Sequence, residues 1–358
     1  MDLGTAADLA IGNLTSPPVL AFVVGLVVVA LLRSDLRLPA KVAQVISAYL
    51  LLAIGLKGGV ALRSADLADL LAPAVAAIAL GCALPVLAFG ALRWLTRLGA
   101  IDRGALAAHY GSTSLVTFTA AITLLEVAKI PFDGYVATLL TIMEIPGIIV
   151  GLLLARRAVD QSHSAIPAPE LARVGAGTSS VVDSGADERV VHAVNRPGWS
   201  QPLREVLTGP SVLLLVGGLF IGVVTGPSGY ASVETTFSGL FTGVLTIYLL
   251  HLGCVAGARL RDVRSAGPGL VAFAVLFPVI AGTAGVLAGS VTGMSVGGAA
   301  VLGVLCASAS YIAAPAAVSL ALPQANTGLC LTASLGVTFP FNLVIGIPIL
   351  VALAQAVG

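Results

Sequence analysis

The chain has 358 residues, of which 58% are hydrophobic and 10% charged, and its formal net charge is +1. This balance excludes a soluble globular domain and gives no indication of nucleic-acid binding. Apolar stretches of about 20 residues recur along the sequence, as in polytopic helical membrane proteins. The preference for Ala, Gly, Val and Arg favours a bacterial origin. The composition therefore predicts an all-α integral membrane protein in the lipid bilayer of a bacterial plasma membrane.

Hydropathy predicts ten transmembrane helices. Their ranges are 17–32, 42–62, 68–95, 104–125, 134–155, 208–226, 236–258, 268–291, 297–321 and 326–356. Residues 158–203, between the fifth and sixth helices, are rich in Gly, Pro and Ser and have no hydrophobic period, which predicts a flexible linker. The chain is thus divided into a first half (1–157), this linker and a second half (204–358).

The distribution of basic residues predicts the orientation. If the N-terminus lies outside, the inner loops hold Arg33, Arg93, Arg259 and their basic neighbours, whereas the outer loops hold Arg63 and Lys129. Lys and Arg concentrate in the cytoplasmic loops of membrane proteins. We therefore expect the N-terminus outside and the linker in the cytoplasm.

Four short stretches of the first half recur in the same order in the second half, about 195 residues later. The pairs are SPPVLAFVVG with GPSVLLLVGG, GLKGGVALR with GCVAGARLR, GSTSLVTFTA with ASASYIAAPA, and MEIPGIIV with VTFPFNLV. Because each half has five spans, the second half inserts upside down relative to the first. The sequence thus predicts a 5+5 inverted repeat, which is typical of secondary transporters.

Hydroxyl side chains cluster near the middle of spans four and nine. Gly111 and the serines after it favour a break in span four, and Pro315 suits the first turn of a new half-helix in span nine. Two half-helix N-termini, each with a charge of about +0.5, would then face one cavity suited to a small anion or to a zwitterion that presents a carboxylate. The alternative is that each hydroxyl bonds a carbonyl one turn back or joins neighbouring helices.

Charged side chains inside the spans are the next signal. Glu144 is either a cation ligand or proton carrier, or a neutral acid hydrogen-bonded to a neighbouring helix. Its counterparts in the second half are Thr338 and Asn342, and prolines beside both sets free backbone carbonyls that can ligate a hard cation. Lys57 either extends to the outer surface or supplies a fixed cation near the anion site. Glu126 is expected to form a solvated pair with Lys129.

The sequence contains no phosphate-binding loop, no metal-binding His/Glu cluster and no nucleophile motif. Its four cysteines lie singly in apolar surroundings, so neither a disulfide framework nor a metal site is indicated. We therefore expect a transporter rather than an enzyme, and no cofactor other than a sodium ion. The distant alternatives are an intramembrane enzyme, for which convergent ionisable groups are missing, and a membrane sensor, for which the linker composition is unsuited.

The motifs SPPVLAFVVG, LLLAIGLKGGVALR, TLLEVAKIP, MEIP and ALAQAVG resemble the sodium-dependent bicarbonate permease family best known from cyanobacteria. The resemblance extends from residue 16 to residue 358 and is lost only in the linker. It implies a ten-helix carrier with core and gate domains, a homotrimer, elevator-like alternating access, and symport of bicarbonate with sodium. It also implies that a PII-like regulatory protein can bind the cytoplasmic face.

The resemblance places bicarbonate at the two breaks, on Ser112, Thr113, Ser114, Thr117, Ser308 and Ser310. Tyr311, which we include among the substrate residues, stands where the cyanobacterial pattern has Asp. Lys57 and Leu115 also depart from that pattern, which has a small polar residue and a glycine at these positions. A lost carboxylate and a gained ammonium both disfavour sodium. The alternative substrate is a small organic carboxylate, coupled to sodium or to a proton carried by Glu144.

Lys57 is the subject of a first prediction. If its ammonium supplies part of the positive charge that sodium supplies in the cyanobacterial carriers, Lys57→Thr raises the dependence of transport on sodium. The measurement is substrate uptake into proteoliposomes with and without sodium. Unchanged sodium dependence in a folded, active variant contradicts this hypothesis.

Overall fold

The computed structural model describes residues 15–32, 36, 38–64, 67–164, 208, 210–311 and 313–358. Within these ranges every element is helical, and seven helices are long and apolar enough to cross a membrane. The prediction of an all-α, multi-pass membrane protein is confirmed. The predicted linker, 158–203, lies outside the described residues from residue 165 onward, so the division into halves stays a prediction.

The helices of the first half are α1 (Pro17–Leu32), α2 (Ala40–Ser64), α3 (Leu67–Leu95), α4 (Ala100–Gly111), α5 (Leu115–Val127) and α6 (Val136–Ser164). Those of the second half are α7 (Pro210–Ala231), α8 (Phe241–Ala266), α9 (Pro268–Val291), α10 (Val296–Ala307), α11 (Ala313–Ala321) and α12 (Thr327–Val357). α12 contains π-helical turns at Thr332–Thr338 and Asn342–Gly346. Such turns are frequent at functional sites.

Two of the predicted spans are interrupted. α4 and α5 are separated by an extended segment in which Ser112 has φ −99° and ψ 150°. α10 ends at Ala307, and the next residue, Ser308, is also extended, with φ −82° and ψ 164°. The structure thus breaks the chain within the two hydroxyl-rich stretches, where glycine, serine and proline disfavour a continuous helix.

Glycine contacts join the two halves along two helix pairs, α1 with α8 and α2 with α7. A β carbon on Gly25 would overlap the carbonyl oxygen of Leu250, and one on Gly55 would press against that of Leu215. Small residues allow backbones to approach closely where lipid supplies no hydrophobic driving force between helices. These four helices form one group, and each pair takes one helix from each half.

The other helices, α3–α6 and α9–α12, pack into a second group that holds both breaks. Two carboxylates bind the halves of this group together. Asp102 accepts a hydrogen bond from the backbone N–H of Asn326 (2.9 Å), and Asp133 accepts from the N–H and hydroxyl of Ser295 (3.0 and 2.8 Å). Asn326 and Ser295 are the N-caps of α12 and α10, so a carboxylate also stands at the positive end of each helix.

The first break is held in place by glycines of α6. A β carbon on Gly147 would overlap the carbonyl oxygen of Gly111, the last residue of α4, and one on Gly151 would overlap the backbone of Ala108. α6 therefore lies directly on the end of α4, which places Glu144 beside the break.

This contact yields a second prediction. Gly147→Ala should destabilise the protein by about 1–3 kcal/mol, because the added methyl group forces α6 away from α4. The matched control is Gly90→Ala in α3, where a β carbon meets nothing within 4 Å. It should be neutral or stabilise by up to about 1 kcal/mol, since Ala favours helix over Gly. Thermal unfolding in detergent measures both variants, and equal shifts would contradict the contact.

Candidate functional site

The two broken segments are hydrogen-bonded to each other. The backbone N–H of Ser310 donates to the carbonyl of His109 (2.8 Å). The N–H of Ser114 donates to the Ser308 hydroxyl (2.9 Å), which in turn donates to the carbonyl of Leu305 (2.8 Å). His109 and Leu305 stand at the same distance before the serine of their own break. Each break therefore supplies the partners that the other one lacks.

Serine side chains also begin both half-helices. The Ser114 hydroxyl accepts hydrogen bonds from the N–H of Thr117 (3.2 Å) and from its hydroxyl (3.0 Å). The Ser310 hydroxyl accepts from the N–H of Ala314 (3.2 Å). An oxygen acceptor at this position caps the free N–H groups of a helix N-terminus. The positive ends of α5 and α11 thus lie at the crossing of the two breaks.

A central cavity opens beside this crossing. Of the residues that the sequence singles out, Thr113, Ser114, Glu144, Ser310 and Tyr311 line it. The rest of its described wall is apolar and consists of Leu51, Leu115, Leu140, Leu215 and Ala313. Leu115 is the one of these residues that departs from the cyanobacterial pattern; the others carry no sequence signal, because leucine and alanine are ordinary in a membrane helix.

Glu144 is the one formally charged residue among the described residues that line the central cavity. Its exposed fraction is 8%, and no described residue forms a hydrogen bond or an ion pair with its carboxylate. Two hydroxyls nearby are also unsatisfied: those of Ser112 and Tyr311 are buried without a hydrogen-bond partner. Buried polar groups are normally paired. These three groups make the region a candidate site for a polar ligand.

Other predicted site residues lie behind the breaks. Ser308 joins the two breaks, whereas Thr117 donates to Ser114 within its own segment. Asn342 donates from Nδ2 to the carbonyl of Ala307 (2.7 Å), at the end of α10. The Thr338 hydroxyl donates to the carbonyl of Ala274 (2.6 Å) and shares a hydrogen bond with the Tyr110 hydroxyl (2.6 Å). Neither Thr338 nor Asn342 is among the described residues of the cavity wall.

Lys57 lies in a second cavity, which is lined by residues of α2, α5 and α6. Its ammonium is 3.7 Å from Glu126 Oε1 and 5.3 Å from the centre of the Phe241 ring. Glu126 thus pairs with Lys57, and not with Lys129 as the sequence suggests, because α2 lies across from the end of α5. Whether Lys57 influences a bound cation stays a prediction.

Two of the clustered hydroxyls are satisfied within their own helix, α5. The Thr119 hydroxyl donates to the Leu115 carbonyl (2.8 Å), and the Thr123 hydroxyl donates to the Thr119 carbonyl (3.0 Å). Both bonds reach one turn back along α5, which is the ordinary way for a hydroxyl to be satisfied in a membrane helix. The cluster therefore begins with candidate site residues and continues with hydroxyls that bond carbonyls of their own helix.

These features define a class of protein. An apolar, multi-pass helical protein in which two broken helices meet beside a polar cavity has the architecture of a membrane transport protein. Among the described residues there is no group of three or more His, Cys, Asp or Glu side chains that could hold a metal ion.

The family follows from comparison with known sequences. The model of the Na+-dependent bicarbonate transporter superfamily matches residues 17–355, and the chain belongs to this superfamily. No curated protein sequence matches the chain significantly. Membership of a transporter family argues for transport rather than catalysis.

The crossing generates a third prediction. Ser308→Ala leaves the buried N–H of Ser114 without a partner and should cost about 1–3 kcal/mol of unfolding free energy. The control is Ser290→Ala in α9, whose half-buried hydroxyl only donates to the Val286 carbonyl one turn back (3.1 Å). That control should change stability by less than about 0.5 kcal/mol. Melting temperatures in detergent test this, and a control as destabilised as Ser308→Ala would contradict the assigned bond.

Proposed function

We propose that the protein is a secondary active transporter that imports a small monovalent anion, and that this anion is bicarbonate moved in symport with sodium. The observation that carries the proposal is the meeting of two serine-capped helix N-termini beside the central cavity. Each N-terminus contributes about +0.5 charge, so together they can hold one anion without a basic side chain. Superfamily membership supports bicarbonate and sodium as the transported species.

Many secondary transporters are built from two related halves, and we include in the proposal ten spans arranged as a 5+5 inverted repeat. Support comes from contacts that occur twice, the second time with the roles of the two halves interchanged. The bond from Asn326 to Asp102 and the bonds from Ser295 to Asp133 join positions related by the repeat spacing. The helix pairs α1–α8 and α2–α7 follow the same rule, because the repeat spacing relates α1 to α7 and α2 to α8.

The proposed motion is of the elevator type. α2 and α7 contribute Leu51 and Leu215 to the cavity wall, whereas its polar groups come from the segments before α5 and α11 and from α6. The group α1, α2, α7 and α8 would act as the gate, and the remaining helices would carry the substrate. A homotrimer, an outer N-terminus, a cytoplasmic linker and a PII-like partner at the inner face belong to the same proposal and rest on the resemblance and on the basic residues.

A small organic carboxylate is the second candidate, moved with sodium or a proton. Four leucines line the central cavity beside its polar groups. The alkyl chain of a carboxylate would pack against these leucines, whereas bicarbonate has no alkyl chain. Tyr311, in place of a carboxylate, likewise makes the site less polar than the cyanobacterial pattern.

The fourth prediction tests the substrate. Purified full-length protein in proteoliposomes should take up labelled bicarbonate when an inward sodium gradient is present, and much less when potassium replaces sodium. Protein-free liposomes supply the background. Competition by short organic carboxylates, measured on the same vesicles, separates the two candidates.

Each result has a distinct meaning. Sodium-dependent bicarbonate uptake supports the proposal. Uptake of a carboxylate without uptake of bicarbonate would contradict the proposed substrate but still support the proposed carrier. Folded protein that moves neither anion under either gradient contradicts the proposed function.

A further inference from the structure

An ion pair joins the two groups of helices. Lys57 lies on α2, in the gate group (α1, α2, α7 and α8), and Glu126 lies on α5, in the carrying group (α3–α6 and α9–α12). The Lys57 ammonium is 3.7 Å from Glu126 Oε1. By contrast, the ion pair of Arg259 with Asp262 (3.3 Å) lies within α8 and is unaffected by any movement of one group against the other. The pair of Lys57 and Glu126 exists only while the two groups keep their described positions.

Both members of this pair can separate at little cost. The Lys57 ammonium also lies 5.3 Å from the centre of the Phe241 ring, and Phe241 begins α8, another gate helix. A cation near an aromatic face is attracted by the ring. Lys57 therefore keeps a partner on the gate side when Glu126 moves away. The side chains of Lys57 and Glu126 are 35% and 46% exposed, so water can solvate both charges once they are apart.

Small residues form the contact between the groups beside the ion pair. A β carbon on Gly58 of α2 would lie 2.6 Å from that of Ala137 on α6, and one on Gly134 would overlap that of Ala61. Packed helices can slide past each other in small shear movements. No large side chain projects across the contact at these four positions to oppose such a movement. The ion pair supplies the directional attraction that a flat surface of small residues lacks.

The second cavity separates the two groups next to this contact. α2 and Phe241 of α8 supply one side of its described wall, and α5, α6 and the segment between them supply the other. Side chains of the two groups therefore do not fill the space between α2 and α5, and the ion pair of Lys57 with Glu126 crosses it.

We propose that Lys57 and Glu126 form a reversible lock, which holds the gate group and the carrying group in the described state and opens in each transport cycle. The inference rests on the proposed function, because the elevator motion requires the two groups to slide. It adds to that function a device that sets how long the groups remain together. An exposed ion pair changes an equilibrium between two states by up to about fivefold, so the lock alters the rate of the cycle without stopping it.

The native residues allow a direct test by cross-linking. A water-soluble carbodiimide activates a carboxylate, and a neighbouring lysine amine then displaces the urea and forms an amide. Full-length protein treated in proteoliposomes should yield a peptide in which Lys57 is linked to Glu126, identified by mass spectrometry. Bicarbonate uptake should fall in proportion to the linked fraction, because an amide cannot open. Lys57→Gln vesicles, treated in the same way, control for modification of other carboxylates and should keep the uptake that wild type loses.

Thiol labelling tests the lock without transport. Ile54, which is 6% exposed, lines the second cavity from α2, so Ile54→Cys should react faster with a water-soluble maleimide when the groups slide apart. The background is Cys82→Ala, since Cys82 is the exposed one of the four cysteines. Lys57→Gln should speed labelling about two- to fivefold. The matched control is Lys129→Gln, which makes the same change of charge outside the pair and should label as wild type.

A charge exchange separates the lock from other effects of the substitutions. Glu126→Gln should speed labelling as much as Lys57→Gln does, because it opens the pair from the other side. The double variant Lys57→Glu with Glu126→Lys restores an ion pair between the two groups, and its labelling rate should return toward that of wild type.

Three results would overturn the inference: no link between Lys57 and Glu126, an equal loss of uptake in treated Lys57→Gln and treated wild type, or equal labelling rates in Lys57→Gln and wild type. A link together with faster labelling of the single variants, found in a protein that moves no bicarbonate, would support the lock and count against the proposed substrate alone.

Discussion

The hydrogen bonds between the two broken helices are the constraint on which the rest of the site depends. A helix that ends inside an apolar environment leaves carbonyl and N–H groups that water cannot reach. Here the N–H of Ser310 reaches the carbonyl of His109, and the N–H of Ser114 reaches that of Leu305 through the Ser308 hydroxyl. Because each break satisfies the other, the capped N-termini of α5 and α11 can remain directed at a cavity.

The packing around the breaks follows from this arrangement. Two extended segments can cross only if the neighbouring helices come close, and Gly111, Gly147 and Gly151 allow α6 to lie on the end of α4. The same approach brings Glu144 to the wall of the cavity that Ser114 and Ser310 also line. A carboxylate beside two positive helix ends makes the net charge of the occupied site sensitive to what enters with the anion. The geometry of the fold and the question of ion coupling are therefore connected.

Sequence reasoning predicted the breaks but could not assign each hydroxyl a role. Ser114 and Ser310 cap half-helices, whereas Thr119 and Thr123 bond carbonyls one turn back, and the same residue types serve both purposes. The leucines of the cavity wall were not predicted, because apolar residues carry no local signal of position. The ion pair of Lys57 was missed because its partner lies on another helix.

Composition and hydropathy by themselves determined that this is an all-α membrane protein, since only helices can satisfy the backbone within each apolar segment. The motifs determined the family, and local glycine, serine and proline determined where two helices break. Only the tertiary structure decided which polar groups meet. Thr113, Ser114, Glu144, Ser310 and Tyr311 come from three separate helical regions, and their convergence depends on contacts between distant segments that no local pattern encodes.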